Sequence, residues 1–193
     1  GAEVARLGLR VPAGFTVSTR CCERYEQSGM DFVRRELWEE VLDGVAFIEK
    51  TTKRTVFRSG CSLVAAPPLL LSVRSGAAAS MPGQMDTVLN LGMNDECAQA
   101  CVNAGFDARW VYDSYRRLIS MFGDVVEHLP KQDFERALTK AKETNNARYD
   151  TELDAEALKL LCGEFKDIYA KHGKVFEQDA MKQLERSVVA VLE

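Results

Sequence analysis

No apolar stretch in this sequence approaches the roughly 18 to 20 residues that a membrane-spanning helix needs, so no part of it is expected to cross a bilayer as a helix. The opening GAEVARLGL lacks both a basic n-region and an apolar h-region, and no signal peptide is read there. An initiator methionine is missing too, and the closing VVAVLE carries no helix stop signal. Both ends are therefore expected to be cuts in a longer chain. There is no excess of positive charge: 25 Lys and Arg against 29 Asp and Glu leave a net charge of −4. Without a basic patch or a polybasic run, neither nucleic acid nor an anionic membrane is an expected partner.

The six cysteines are Cys21, Cys22, Cys61, Cys97, Cys101 and Cys162, with no CxxC among them. Adjacent Cys21 and Cys22 cannot easily pair with each other. In a helix-patterned chain of 193 residues they read as reduced thiols in an intracellular, non-secreted protein. Walker A (GK[ST]) and GxGxxG loops are absent, as are internal repeats and low-complexity tracts.

What remains is an ordinary globular composition, long enough for one sizeable core or two small subdomains. Residues 2–9 read as the last turns of a helix stopped by Gly8. Val11 to Gly14 reads as a turn and Phe15-Thr16-Val17 as a short strand. Ser18 or Thr19 is placed to cap a helix ending near Gly29, and Asp31 to cap the next. In that second helix Phe32, Val33, Leu37, Trp38, Val41, Val45 and Ile48 recur at helical spacing. Residues 51–66 break the pattern and read as a strand-and-loop excursion. Pro67-Pro68 forces an extended entry into an apolar run, Leu69-Leu70-Leu71.

Beyond Gly92 the pattern is helical throughout. Helices are expected over 95–104 and over 107–122, where Trp110, Tyr115, Leu118, Ile119 and Phe122 share a face and Gly123 acts as a stop. Pro130 and Asp154 each open a further helix, and residues 179–193 read as helical to the end. The expected organisation is α/β and helix-rich, with a small mixed-sheet part over 1–92 followed by an all-helical part over 93–193.

The stretch with chemical content is Leu69 to Gly92, LLLSVRSGAAASMPGQMDTVLNLG. An apolar strand ends at Arg74 and runs into SGAAASMPG, which has almost no side-chain bulk. Backbone N–H groups approach an anion closely only where side chains do not intervene. A buried arginine needs a partner, and its planar fork suits phosphate. Met81-Pro82 stiffens the loop and Gly83 allows a positive φ. The residues alone leave two readings open, a tight turn and an anion or nucleotide loop. Elsewhere, His128 and His172 read as solvated or capping side chains, and Cys97 and Cys101, one helical turn apart, as core packing rather than a metal pair. Arg116 and Arg117 read as solvated charges, and Asp86 as a helix N-cap rather than an acid or metal ligand.

SVRSGAAASMPGQMDTVLNLG resembles the signature of the pyruvate phosphate dikinases, in their N-terminal ATP-grasp nucleotide-binding domain. The likeness extends to LGLRVPAGFTVST at 7–19, to YDSYRRLISMFGDVV at 112–126 and to Gln183–Val191, and is weakest over 51–66 and 143–153. Phosphoenolpyruvate synthases and glucan dikinases share the strand and arginine but typically continue SVRSS with an acidic stretch. Gln84 departs from the methionine usual after the Pro-Gly.

The resemblance implies a partial ATP-grasp domain in a phosphotransferase that uses ATP and Mg2+. Its β-phosphoryl passes to a histidine on another domain and finally to pyruvate, while inorganic phosphate takes the γ-phosphoryl. Carried onto this sequence, Arg74 would contact the ATP phosphates, and Gly76, Ala77, Ala78, Ala79, Ser80, Met81, Pro82 and Gly83 would cover them. The family's Gly-Lys-Gly lysine is expected before Ala2, its acidic metal ligands beyond Glu193, and its phosphohistidine domain and barrel further on. No catalytic residue and no metal ligand are therefore assigned within the chain, which alone is expected to be inactive. The full-length protein is expected to be a homodimer in cytosol, plastid or glycosome. The alternatives are a fragment of a phosphoenolpyruvate synthase-like dikinase and a non-catalytic ATP-grasp regulatory module.

Overall fold

A computed structural model describes residues 11–60, 66–76 and 86–193. The expected helix end at 2–9 lies outside the described residues. The chain divides into two compact units, the first running through Thr55 and the second spanning Val56–Leu192. The change of composition at residue 92 falls inside the second.

In the first unit, α1 (Arg20–Phe32) leads through a single π-helical stretch, Val33–Leu37, into α2 (Trp38–Thr52). Gly29, with φ of 54°, breaks the helical backbone inside α1, where the helix end was expected. A second helical segment does start after this kink, but no capping hydrogen bond from Asp31 is present among the described contacts. Phe32, Val33, Leu37, Val41, Val45 and Ile48 are buried on one side, as their spacing requires. Phe15-Thr16-Val17 is no strand, since it has no ladder partner among the described residues. Phe15 instead lies over Gly44 of α2, where an added Cβ would come within 2.5 Å of its ring.

The second unit contains one antiparallel ribbon, five α-helices and a short 3-10 turn, Asp150–Glu152, among the described residues. Strands β1 (Leu71–Arg74) and β2 (Thr87–Leu91) pair as Leu71 with Leu91, Val73 with Val88 and Arg74 with Thr87. No described residue of the 51–66 stretch is a strand. The helices are α3 (Asp95–Asn103), α4 (Ala108–Val125), α5 (Lys131–Thr144), α6 (Ala155–Lys171) and α7 (Ala180–Ala190). Three have a carboxylate cap and one an amide: Asn94, Asp107, Asp154 and Asp179 each accept a backbone N–H of the first turn. Helix α7 stops at Ala190 rather than running to the chain end.

Helix α4 is the centre of this unit. It packs against β2, α3, α5, α6 and α7. Tyr115, Leu118, Ile119 and Phe122 are buried as expected, but Trp110 is 40% exposed and Val111 takes the inward position. Phe176 meets Tyr115, Phe122 and Tyr169 edge-on, with ring centroids 5.9, 5.8 and 5.7 Å away. Gly123 does not stop the helix; α4 runs through it to Val125. The glycine is there because Phe134 of α5 and Tyr169 of α6 occupy the space a Cβ would take.

Candidate functional site

The ribbon presents the candidate site at its open end. The strand itself begins at Leu71, after the buried Leu69. On the inner face lie Leu71, Val73, Val88 and Leu91; Ser72 and Arg74 are exposed. Past the last pair, Ser75 N–H donates to the Asp86 carbonyl at 2.9 Å, and the Ser75 hydroxyl reaches the same oxygen at 3.4 Å. Arg74 and Thr87 are thus the last ladder pair before the loop.

Arg74 is exposed, not buried, because Val73 and Val88 take the inner face and strand alternation turns their neighbours outward. The desolvation argument for a partner therefore does not apply. Availability replaces it: among the described residues no hydrogen bond or ion pair holds the Arg74 guanidinium. Gly76 is exposed beside it, with nothing within 4 Å of where a Cβ would be. An exposed planar cation next to open backbone fits an anionic group such as a phosphate. The remaining expected loop residues, Ala77, Ala78, Ala79, Ser80, Met81, Pro82 and Gly83, lie outside the described residues. Asp86 is exposed at the start of β2, so it caps no helix.

Other charged candidates are engaged elsewhere. Arg116 is 6% exposed rather than solvated. It bridges Asp113 at 2.7 Å and Asp150 at 3.2 Å, which ties α4 to the turn before α6. Arg117 is the solvated member of the pair and also reaches Asp113. His172 lies 3.1 Å from Asp133, joining the end of α6 to the first turn of α5, and His128 is exposed. Cys97 and Cys101 are fully buried in the core. Burial pushes the Cys162 thiol up to about 12, which suits a packing role rather than a nucleophile. Among the described residues, no three His, Cys, Asp or Glu side chains gather as a metal site.

Two polar residues at the closed end of the ribbon were not picked out from the sequence. Asn90, in β2, has φ of 62° and donates its amide to the Ser114 carbonyl of α4 at 3.0 Å. Gln183 of α7 is 0% exposed. It accepts the Gly92 N–H at 2.9 Å and donates to the Met93 and Glu177 carbonyls at 3.0 and 2.7 Å. An asparagine before Leu-Gly in an apolar strand was a visible bulge signal; nothing in the sequence announced Gln183's partners.

No family model matches the chain. Individual relatives do. Pyruvate, phosphate dikinase 1, chloroplastic, of Zea mays is 47% identical over 191 residues, covering 98% of this chain and 19% of that protein. The enzyme of the same name from Arabidopsis thaliana is 45% identical over 194 residues, 100% of this chain and 19% of its own length. Pyruvate, phosphate dikinase 2 of Zea mays is 44% identical over 193 residues, 100% of this chain and 21% of its own. The chain thus spans about a fifth of the length of the relatives it matches. Identity at this level along the whole stretch places the chain in the pyruvate, phosphate dikinase family.

Proposed function

We propose that this chain is part of the nucleotide-binding, ATP-grasp domain of a pyruvate, phosphate dikinase. The full-length protein would convert ATP, phosphate and pyruvate to AMP, diphosphate and phosphoenolpyruvate. The observation that carries the site is the exposed Arg74 guanidinium at the end of the β1–β2 ribbon, without a partner among the described residues. Bound ATP with Mg2+ would supply the phosphoryl group and offset its charge. Arg74 would hold the polyphosphate as a fixed cation, and the small residues Gly76 to Gly83 would let backbone N–H groups come close to it. Charge placed in advance of the transfer stabilises the transferring group without reorganisation.

The metal ligands, the lysine and the accepting histidine would come from elsewhere in the full-length protein, so this chain alone would not turn over. His172, on Asp133, and the exposed His128 have no role in this scheme. The chloroplastic relatives support an organellar setting, and a homodimer with a separate phosphohistidine domain completes the proposal. Phosphorus NMR of the full-length protein tests the reaction. Pyruvate-dependent loss of ATP and inorganic phosphate, with diphosphate appearing, is expected. Release of inorganic phosphate instead would point to a synthase-type reaction and overturn the reading.

A further inference from the structure

Residues directly opposite each other in an antiparallel pair lie on the same face, with Cβ atoms about 4.5 to 5.5 Å apart. Val73 and Val88 face inward, and Val88 is 0% exposed. The next pair, Arg74 and Thr87, therefore shares the outer face. Arg74 is exposed there and Thr87 half-buried. Among the described residues no hydrogen bond holds the Thr87 hydroxyl. Beyond this pair comes only the bond from the Ser75 N–H to the Asp86 carbonyl. A guanidinium and a hydroxyl thus stand side by side, one from each strand, at the last rung before the loop.

The other polar side chains of the ribbon are placed differently. Ser72 shares the outer face but stands two residues further from the loop, about 7 Å along the strand. The Asn90 amide is held on the Ser114 carbonyl of α4 at 3.0 Å. The Ser75 hydroxyl reaches the Asp86 carbonyl at 3.4 Å. An ionised Asp86 only accepts hydrogen bonds, so it offers an anion nothing. Thr87 is the donor left beside Arg74. A phosphate has more acceptor sites than one planar fork engages, and a hydroxyl turns to donate to whichever oxygen is in reach.

We infer that Thr87 is a further binding residue of this site: its hydroxyl donates to the phosphate that Arg74 holds, so both strands of the ribbon grip the anion. This rests on the reading of Arg74 as a phosphate ligand. The strand needs only the β-branched shape of threonine, which valine shares. The contact needs the oxygen.

The test compares Thr87→Val with Thr87→Ser in the full-length protein. Valine keeps the branch and loses the hydroxyl; serine keeps the hydroxyl and loses the branch. Affinity for the Mg2+ complex of adenylyl imidodiphosphate is measured for each, and for Thr87→Val combined with Arg74→Ala. Thr87→Val is expected to bind about tenfold more weakly, as befits a lost hydrogen bond to a charged group, and Thr87→Ser to stay within about threefold of the parent. Ser72→Ala, on the same face but further from the loop, should bind as the parent does. The valine loss should diminish once Arg74 is already alanine, because residues gripping one group are coupled. Should Thr87→Val not fold, Thr87→Ala replaces it with the same expectation. Parent-like binding by Thr87→Val, a serine loss equal to the valine loss, a Ser72→Ala loss as large, or a valine loss undiminished beside Arg74→Ala overturns the inference while leaving the phosphate reading intact. No effect of Arg74→Ala by itself overturns both.

Discussion

Gly123→Ala should destabilise the chain, although helix propensity argues the reverse. A glycine inside a helix costs about 1 kcal/mol relative to alanine, so on α4 alone the substitution is a gain. The surroundings decide otherwise. The new Cβ would lie 2.5 Å from Phe134 Cζ, 3.0 Å from Phe134 Cε2 and 3.0 Å from Tyr169 Oη. Phe134 cannot swing aside freely, because it is buried edge-on against Phe165 at 5.2 Å and Tyr169 at 6.1 Å. Tyr169 donates its hydroxyl to the Ile119 carbonyl at 2.7 Å. Forcing α5 and α6 away from α4 costs about 1 to 3 kcal/mol by the behaviour of overpacked cores. A displaced Tyr169 hydroxyl left buried without a partner would add about as much.

The net expectation is a loss of roughly 1 to 3 kcal/mol, or several degrees in Tm for a chain of this size. Gly163→Ala in α6 is the control. Nothing lies within 4 Å of its Cβ position and its backbone is helical, so it should gain up to about 1 kcal/mol. Urea unfolding followed by far-ultraviolet circular dichroism reads both variants. One substitution in two helix interiors should thus give opposite signs, and Phe134→Leu should relieve Gly123→Ala. A Gly123→Ala chain as stable as Gly163→Ala would refute the packing argument.

Two further outcomes follow from the same geometry. Gln183→Ala strips a fully buried side chain from the Gly92 N–H and from the Met93 and Glu177 carbonyls. A loss of about 3 kcal/mol in urea unfolding is expected from groups left unpaired, and a loss below about 1 kcal/mol would contradict the clamp. His172, and then Arg136, hold the Asp133 carboxyl below its ordinary value. The stability this gives is present above about pH 3.9, the ordinary aspartate value. It is lost as the pH falls through the depressed value. Asp133→Asn should therefore flatten the acid limb of the stability profile, and an unchanged limb would show the pair to be inert.

Local rules carried the helical half of this chain. The spacing of Tyr115, Leu118, Ile119 and Phe122 and the caps at Pro130 and Asp154 translate directly into α4, α5 and α6, because both signals act within a turn or two. Trp110 missed its face because Val111 lies closer to the centre of the apolar stripe. Long-range partners were invisible. Gly123 looks like a stop signal until Phe134 and Tyr169 are seen over it, and Arg116 looks solvated until Asp150 arrives from 34 positions away. Phe15-Thr16-Val17 has strand propensity but pairs with no described strand. Asp86 followed a Pro-Gly and resembled a cap, yet Thr87 to Leu91 pairs with β1 instead of coiling. The proposal of an anion contact at Arg74 rests on a different ground from burial. That ground is an exposed guanidinium with no partner among the described residues, its exposure set by alternation along β1, and not a buried cation seeking a partner.

The central claim is that Arg74 binds nucleotide phosphate, and titration of the full-length protein with Mg2+ adenylyl imidodiphosphate tests it most directly. A charged hydrogen bond of about 1.5 to 3 kcal/mol corresponds to roughly tenfold to a hundredfold weaker binding for Arg74→Ala. Arg74→Lys should recover only part of this, since it keeps the charge but not the planar fork. Affinity unchanged in a folded Arg74→Ala protein would contradict the account.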